Sequence, residues 1–312
     1  MKPYLCAAVV AALASGAIAQ QGARAMRTIS SQGRTRNYLL HVPASPNGAL
    51  VLVFHGGGGS PFDIESQTHF DDLSDREHFL VAYPEGFERS WADGRGTTKA
   101  DRQGLDDVAF AKAIVSDIAT TTHAVDRARV YATGPSNGGI FTNRLGCDAA
   151  DVFAAIAPVI GTLAEKMALR CRPAARVSVV GVQGVADPVV PFDGGEVGGT
   201  IEAVAAGGRV QSSRATQELW RTVDGCGPTP TSTPLPARVD DGTSVTKRAY
   251  SGCRDATDVV WYEIAGGGHR WPPNHSPRPM VERAAAHLLG SASQNIDASA
   301  VIWSFFAAHT RK

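Results

Sequence analysis

The stretch "YATGPSNGGIF", residues 131–141, places a serine among glycines directly after an apolar run. Gly134, Ser136 and Gly138 have the G-x-S-x-G spacing that is typical of a sharp turn between a strand and a helix. A side chain at either glycine would collide across such a bend. The same spacing also arises by chance in glycine-rich chains, so other parts of the sequence must supply partners for the serine.

Six apolar runs that end in glycine predict strands buried on both faces, which is typical of a parallel sheet. They are ALVLVFHG (49–56), HFLVAYPEG (78–86), ARVYATG (128–134), FAAIAPVIG (153–161), RVSVVGVQG (176–184) and VVWYEIAGGG (259–268).

Helical patterns lie between and after these runs. Residues 105–118 and 297–309 each carry apolar side chains on one face. Residues 27–43 instead alternate apolar and polar side chains around Gln32 and Gly33, which predicts a β-hairpin. Strands that alternate with amphipathic helices predict an α/β fold with a mostly parallel, doubly wound sheet and helices on both faces.

The first 19 residues have the features of a signal peptide. Lys2 precedes an apolar run over 5–14, and small residues end the segment at Ala19. The run is too short to span a bilayer. We expect cleavage after Ala19, although a second small-residue site at 23–25 leaves the position open. The remaining chain, 20–312, is then a single secreted domain, extracellular or periplasmic.

Secretion changes the meaning of the cysteines, because an oxidising compartment favours disulfides. Removal of Cys6 leaves an even set, for which we favour the pairings Cys147–Cys171 and Cys226–Cys253 since they close short loops. A zinc site is the alternative, but the C-x-x-C spacing is lacking.

The segment "GPTPTSTPLP", residues 227–236, has the composition of a linker. The proposed Cys226–Cys253 disulfide would enclose this segment. We therefore predict a surface loop rather than a domain boundary.

Charge excludes some classes of partner. The chain of 312 residues has a formal net charge of +0, with 19% charged residues and no evident Lys/Arg cluster. Nucleic acid and an anionic membrane surface are therefore not expected partners. We expect a monomer that acts on a small or polymer-linked substrate.

The strand ends carry a set of residues suited to nucleophilic catalysis. Ser136, Asp187 and His269 follow successive predicted strands in the chain order Ser, Asp, His, which is that of the α/β-hydrolase fold. In this interpretation His269 is the general base for Ser136, and Asp187 orients His269. Asp193 and Asp258 are rival candidates for the acid.

The run "HGGGGS", residues 55–60, predicts an oxyanion loop. The backbone N–H groups of Gly57 and Asn137 would hold the oxyanion, and one such donor typically contributes about 3 kcal/mol. His55 fits this loop better than it fits a base. A phosphate-binding loop is the alternative, but no lysine follows the glycines. We expect no metal and no organic cofactor; a metal pair of His269 and His275 lacks a supporting carboxylate cluster.

At these residues the chain resembles the extracellular polyhydroxybutyrate depolymerase-like and feruloyl esterase family of α/β-hydrolases. The resemblance covers most of the mature chain. It rests on SWADGRG (90–96), DDVAFAKAIVSDI (106–118), VYATGPSNGG (130–139), FAAIAPV (153–159), ADPVVPFDGG (186–195), GGGHRWP (266–272) and NIDASAVIWSFF (295–306). It implies the triad of Ser136, Asp187 and His269, and the same disulfide pairing.

Two positions depart from the sequence pattern of that family. Pro135 stands before the nucleophile, where it removes a backbone donor and fixes φ. Gln183 stands where relatives often have histidine.

Trp91 and Trp271 are candidates for stacking on an aromatic acyl group or a sugar; burial in the core is the alternative for each.

The sequence therefore predicts a secreted serine carboxylic-ester hydrolase that forms an acyl-enzyme. The resemblance implies feruloyl or related hydroxycinnamoyl esters of plant polysaccharide, or short hydroxyalkanoate esters, as substrates. A polyester depolymerase proper, an acetyl xylan esterase and a secreted serine peptidase are alternatives. A non-catalytic carbohydrate-binding relative would have no need of the whole set of site residues.

Overall fold

A computed structural model of the protein describes residues 22–198, 207–274 and 285–312. The predicted signal peptide, residues 1–19, lies outside the described residues, as does His275. Ten strands form one large sheet, and two short strands pair separately.

The strands have the following bounds: β1 (Ala23–Ser31), β2 (Arg34–Val42), β3 (Leu50–Val53), β4 (Leu80–Pro84), β5 (Val130–Pro135), β6 (Ala155–Val159), β7 (Ser178–Gly184), β8 (Gly195–Glu196), β9 (Arg209–Val210), β10 (Thr231–Pro234), β11 (Ser244–Tyr250) and β12 (Val259–Ala265). The helices are α1 (Pro61–Thr68), α2 (Phe70–Glu77), α3 (Lys99–Arg102), α4 (Asp107–Thr122), α5 (Asn137–Asp148), α6 (Glu165–Ala168), α7 (Ser213–Asp224) and α8 (Ala298–Ala307), with a short 3₁₀ turn at Arg254–Ala256.

The strand order in the large sheet is β1-β2-β4-β3-β5-β6-β7-β12-β11-β10, and β8 pairs with β9. The centre of the large sheet is parallel. All pairs from β4 through β3, β5, β6 and β7 to β12 run in the same direction, and antiparallel strands flank them on both sides. The six predicted apolar strands are these six central strands. The carboxyl ends of β3, β5, β7 and β12 therefore meet at one edge, where ligands bind in open α/β sheets.

Side chains on the central strands point alternately to the two faces of the sheet, and because both faces are buried the core has two layers. Leu50 and Leu52 of β3 pack in one layer with α4, α5 and α7, whereas Val51 and Val53 pack in the other with α1, α2 and α8. The predicted doubly wound sheet with helices on both faces is confirmed.

Local sequence signals account for several element boundaries. The predicted hairpin is confirmed: β1 and β2 pair across Gln32 and Gly33, which both have positive φ. Asp106 caps α4 by accepting a hydrogen bond from the Ala109 N–H, and Asp297 caps α8 in the same way. No helix in the described part of the chain is long and apolar enough to cross a membrane.

Both predicted disulfides are confirmed, Cys147–Cys171 and Cys226–Cys253. The second encloses residues 227–236, as expected, but the prediction that this whole segment is a loop is wrong. Residues 231–234 form β10, an exposed edge strand that pairs with β11. Proline does not prevent this, because an edge strand leaves one row of backbone groups unpaired.

Candidate active site

Ser136 occupies a strained turn between β5 and α5. Its backbone has φ 56° and ψ −125°, a conformation unusual for a residue with a side chain. A Cβ on Gly134 would lie 2.3 Å from the carbonyl oxygen of Phe54, and one on Gly138 would lie 2.2 Å from the same atom. The collision expected across the bend is thus with the backbone that follows β3, and only glycine avoids it.

Pro135 fits this turn because its missing donor costs β5 no hydrogen bond to β6. The N–H of Ser136 donates to the carbonyl of Val159 on β6. Successive N–H groups along a strand point in opposite directions, so a donor at position 135 would point toward β3. The pairing of β3 with β5 ends at Val53 and Thr133, before that position.

Three side chains from three loops meet at this turn. His269 Nε2 lies 2.8 Å from Ser136 Oγ, and His269 Nδ1 lies 2.8 Å from Asp187 Oδ2. An ionised carboxylate only accepts hydrogen bonds, so the proton of the neutral ring sits on Nδ1. Nε2 is then free to accept the proton of the serine hydroxyl.

The loop after β7 holds the Asp187 carboxylate in place. Its Oδ1 accepts hydrogen bonds from the backbone N–H groups of Val189 (2.8 Å) and Val190 (2.9 Å). Gln183, which departs from the family pattern, is buried beneath this loop and donates to the carbonyl of Val190 at 3.3 Å. The Asp187 side chain is 0% exposed, so water does not compete for His269. The rival Asp193 is exposed, and Asp258 binds His309 instead.

Glycines allow the acid loop and the histidine loop to approach each other. A Cβ on Gly184 would lie 2.5 Å from the carbonyl oxygens of both Gly267 and Gly268. A Cβ on Gly268 would lie 2.2 Å from the carbonyl oxygen of Leu289. The three glycines before His269 therefore serve close backbone packing, which sets the position of the ring.

The glycine-rich loop after β3 lies against the serine turn. A Cβ on Gly56 would lie 3.4 Å from Ser136 Cβ, and one on Gly57 would lie 3.7 Å from Asn137 Cβ. Gly57, Ser136 and Asn137 line the same cavity. Among the described residues, the N–H groups of Gly57 and Asn137 donate to no other protein group, which leaves both free for a ligand oxygen.

His55 supports this loop and does not face the serine. Its Nε2 accepts a hydrogen bond from the Gly86 N–H (2.9 Å), and its Nδ1 lies 2.7 Å from the carbonyl of Gly56. Nδ1 therefore carries the proton. Burial lowers the pKa of His55 from 6.5 to about 4, so the ring is neutral at ordinary pH.

A buried polar network that no sequence pattern predicted lies behind Asn137. The Asn137 side chain donates to Asp93 Oδ2 (2.6 Å) and accepts from the Trp91 N–H (2.8 Å). Arg95 pairs with Asp93 at 2.9 Å and also donates to the carbonyl of Gly207. Burial raises the pKa of Asp93, and the Arg95 guanidinium opposes that rise. The family motif at residues 90–96 therefore fixes the position of Asn137, the residue after the proposed nucleophile.

Of the two interpretations given for Trp91 and Trp271, stacking on the substrate is wrong and burial in the core is confirmed. Trp91 is 0% exposed, packs against Phe141, and donates from Nε1 to the carbonyl of His55. Trp271 is 2% exposed and donates to Ser299 Oγ at 3.2 Å. Both rings find their hydrogen-bond partners inside the protein, so neither offers a face to a ligand.

A cavity of about 550 Å³ opens beside the serine. Its buried lining includes Ser90, Arg95, Thr98, Asn137, Val189 and Val197. Its exposed lining includes Glu88, Arg89, Lys99 and Arg102. A larger depression of about 790 Å³ lies between residues 171–176 and α7 but contains none of the residues of the serine site. The cavity at Ser136 is therefore the one relevant to chemistry.

This fold and this arrangement define a hydrolase of the α/β-hydrolase class. No protein-family model matches the chain. The acetyl xylan esterase of Aspergillus awamori aligns over 82% of this chain and 98% of its own with a TM-score of 0.58. At 14% identity that likeness establishes the fold alone.

Sequence comparison identifies the family. The chain is 33% identical over 281 residues to "Putative esterase NocK" of Nocardia uniformis subsp. tsuyamanensis, across 87% of this chain and 81% of that protein. It is 31% identical over 230 residues to "Feruloyl esterase B" of Piromyces equi, across 70% of this chain but 39% of that longer protein. The chain belongs to this family of carboxylic-ester hydrolases.

Proposed function

We propose that the protein hydrolyses carboxylic esters through an acyl-enzyme on Ser136. The observation that carries this proposal is the position of His269, whose two nitrogens lie 2.8 Å from Asp187 and 2.8 Å from Ser136. The strained backbone at Ser136 directs the hydroxyl toward the cavity at the N-terminus of α5, where the helix field favours developing negative charge.

The acylation step uses these groups in order. Ser136 Oγ attacks the ester carbonyl carbon while His269 Nε2 takes its proton. The carbonyl oxygen becomes an oxyanion that accepts hydrogen bonds from the N–H groups of Gly57 and Asn137. Collapse of this intermediate breaks the bond to the alcohol oxygen, which leaves with the proton from His269.

Deacylation repeats the sequence with water as the nucleophile. His269 removes a proton from water, the resulting hydroxide attacks the acyl carbon, and the proton returns to Ser136 Oγ as the acid leaves. Asp187 stays ionised throughout and stabilises the imidazolium in each half-reaction. Every step uses groups that belong to this chain.

We propose feruloyl or related hydroxycinnamoyl esters of plant polysaccharide, or short hydroxyalkanoate esters, as substrates. The relatives named feruloyl esterase support the first class. With Trp91 and Trp271 buried, an aromatic acyl group would contact Val189 and Val197 of the cavity rather than stack on tryptophan. An acetyl xylan esterase and a polyester depolymerase are the alternatives within the same chemistry.

We also propose that the protein is secreted and acts as a monomeric single domain. Two disulfides in the described part of the chain support an oxidising compartment. The predicted leader, residues 1–19, gives the route of export.

The test compares the wild-type protein with Ser136→Ala and with a matched control, Ser304→Ala, an exposed serine on α8. Each is offered methyl ferulate, p-nitrophenyl butyrate, a hydroxybutyrate oligomer and a peptide anilide. We expect ester hydrolysis that falls at least about 10³-fold in Ser136→Ala and is unchanged in Ser304→Ala, since loss of a triad member leaves only the oxyanion site and binding. Full activity in Ser136→Ala would refute the mechanism. Cleavage of the anilide without ester hydrolysis would support a peptidase.

A covalent readout distinguishes a catalytic serine from a structural one. A fluorophosphonate reacts with a serine only when a neighbouring base activates it. We expect mass spectrometry to find the adduct on the peptide that contains Ser136, and to find none in His269→Ala. An adduct on another serine would relocate the nucleophile.

A further inference from the structure

The exposed part of the cavity at Ser136 is cationic, although the whole chain is electrically neutral. Arg89, Lys99 and Arg102 form what we term the basic rim, and Glu88 is the acidic residue among the exposed lining residues. The formal net charge of the protein is +0. The rim is thus a local concentration of positive charge at the mouth of the site.

Two of the rim cations have weak partners. Lys99 Nζ lies 3.3 Å from Glu88, with side chains 63% and 56% exposed. Arg89 lies 3.4 Å from Asp63, with side chains 62% and 63% exposed. Ion pairs that are this exposed contribute little, so both cations can turn to another anion at small cost.

The third cation, Arg102, has no carboxylate partner among the described residues. Its guanidinium donates to the carbonyl of Thr97. The adjacent carboxylate of Asp101 accepts from the backbone N–H groups of Gly94, Gly96 and Thr98 and so is already occupied. By contrast the cavity's buried cation, Arg95, is paired with Asp93. The uncompensated charge therefore lies on the rim and not at the bottom of the cavity.

We propose that the basic rim binds carboxylates on the alcohol portion of the substrate, so that the enzyme prefers acidic esters over neutral esters of the same shape. This inference rests on the proposed ester hydrolysis at Ser136. The position of the charges assigns them to the alcohol portion, because the acyl group enters the buried part of the cavity while the rest of a polymer or oligomer lies across the exposed mouth.

Two kinds of alcohol portion carry such carboxylates. One is an acidic oligosaccharide that contains uronic acid; the other is a hydroxyalkanoate oligomer, whose leaving part ends in a free carboxylate. Both present an anion several bonds from the scissile ester. Positive charge at the mouth also speeds the encounter with an anionic substrate, an effect that salt screens.

The experiment compares two esters of nearly the same shape that differ in charge, para-carboxyphenyl butyrate and para-carbamoylphenyl butyrate. The quantity measured is the ratio of their kcat/KM values. Intrinsic differences in leaving ability cancel when this ratio is compared between wild type and variants. The variants are Arg102→Gln, Lys99→Gln and Arg89→Gln. The control is Lys112→Gln, which removes a cation that pairs with Asp151 beyond the far end of α5.

We expect each rim variant to lower the ratio by about 1.5-fold to fivefold at low salt, the range for an exposed charge pair. High salt should lower the wild-type ratio and leave little difference between wild type and variants. Lys112→Gln should leave the ratio unchanged.

Two further pairs of substrates identify the source of the carboxylate. One pair is a hydroxybutyrate trimer with a free carboxylate and its amide-ended form. The other is an acetylated xylo-oligosaccharide with and without a uronic acid. In either pair, a wild-type preference for the substrate with the carboxylate that the rim variants reduce would support the proposal. The pair that shows this preference identifies the source of the carboxylate.

The failures are distinguishable. If both butyrates are hydrolysed in a Ser136-dependent way and no rim variant changes the ratio, the basic rim does not bind carboxylates and this inference is wrong while the proposed function stands. If neither ester is hydrolysed in a Ser136-dependent way, the proposed function fails and the inference fails with it.

Discussion

Two of the buried histidines in the described part of the chain, His269 and His309, each contact an aspartate near a strand of the same sheet. In the pair Asp187–His269 the atoms are 2.8 Å apart, and in the pair Asp258–His309 they are 3.0 Å apart. The histidine side chains are equally buried, at 7% exposure. The aspartates differ: the side chain of Asp187 is 0% exposed and that of Asp258 is 58% exposed.

The second nitrogen of each ring makes the functional difference. His269 Nε2 faces the hydroxyl of Ser136, from which it can take a proton. His309 Nδ1 faces the carbonyl of Phe305 at 2.7 Å, which has no proton to give. An Asp–His contact is therefore not a catalytic pair in itself. The group opposite the carboxylate decides whether the ring can act as a base.

The largest expected effect comes from removing each ring in turn. We expect His269→Ala to lower kcat/KM for a short aryl ester by about 10⁵-fold, because the serine loses its base. His309→Ala should change it less than about twofold. Thermal unfolding of both variants, followed by circular dichroism, provides the control. A large decrease in the Tm of His269→Ala would mean that the loss of activity comes from unfolding. Equal losses of activity in two folded variants would contradict the comparison.

The two carboxylates give the next largest contrast. We expect Asp187→Asn to lower kcat about 10⁴-fold, because an amide that donates to Nδ1 selects the wrong tautomer of His269. KM should change little, since Asp187 does not line the cavity. The matched substitution Asp258→Asn should leave kcat within about twofold. A small effect of Asp187→Asn would point to another acid, with Asp193 the first candidate to substitute.

A smaller effect concerns His55, whose ring contacts backbone groups and no carboxylate. Its pKa is lowered by burial from 6.5 to about 4, so the unfolded chain binds a proton there first as pH falls. The free energy of unfolding should therefore drop by up to about 3 kcal/mol between pH 6.5 and pH 4, through this group. Urea unfolding across that pH range measures the slope. His55→Gln should remove the contribution of this histidine to the slope, and an unchanged slope would show that other groups dominate.

Much of the fold followed from sequence because its signals are local. Six glycine-ended apolar runs predicted the six central strands, and the Gln32-Gly33 turn predicted the β1–β2 hairpin. A continuous apolar run indicates a strand buried on both faces, and a periodic pattern indicates a strand or helix with one face in the core, so both signals are readable without knowing the partners. The β10 strand was missed, since its residues are exposed on both faces and carry neither signal.

The candidate site also has features that local sequence signals predicted and features that they did not. The residues proposed as nucleophile, base and acid were identified by their place after strands, and the structure brings Ser136, Asp187 and His269 together. The sequence left the role of the two tryptophans open, because a buried ring and a ligand-stacking ring look alike in sequence. The polar network of Asp93 and Arg95 and the basic rim were missed because the net charge of the chain conceals how charges group in space.

The sequence by itself determined the parallel sheet, the order of the loops at its carboxyl edge, and the residue types that those loops carry. These depend on backbone preferences and burial patterns that each short segment expresses alone. Only the tertiary structure decided which aspartate meets which histidine, which nitrogen is left for the serine, and where the cations gather. Those outcomes depend on distances of a few ångströms between segments far apart in the chain, and hydrogen bonds and charge pairs change sharply over such distances.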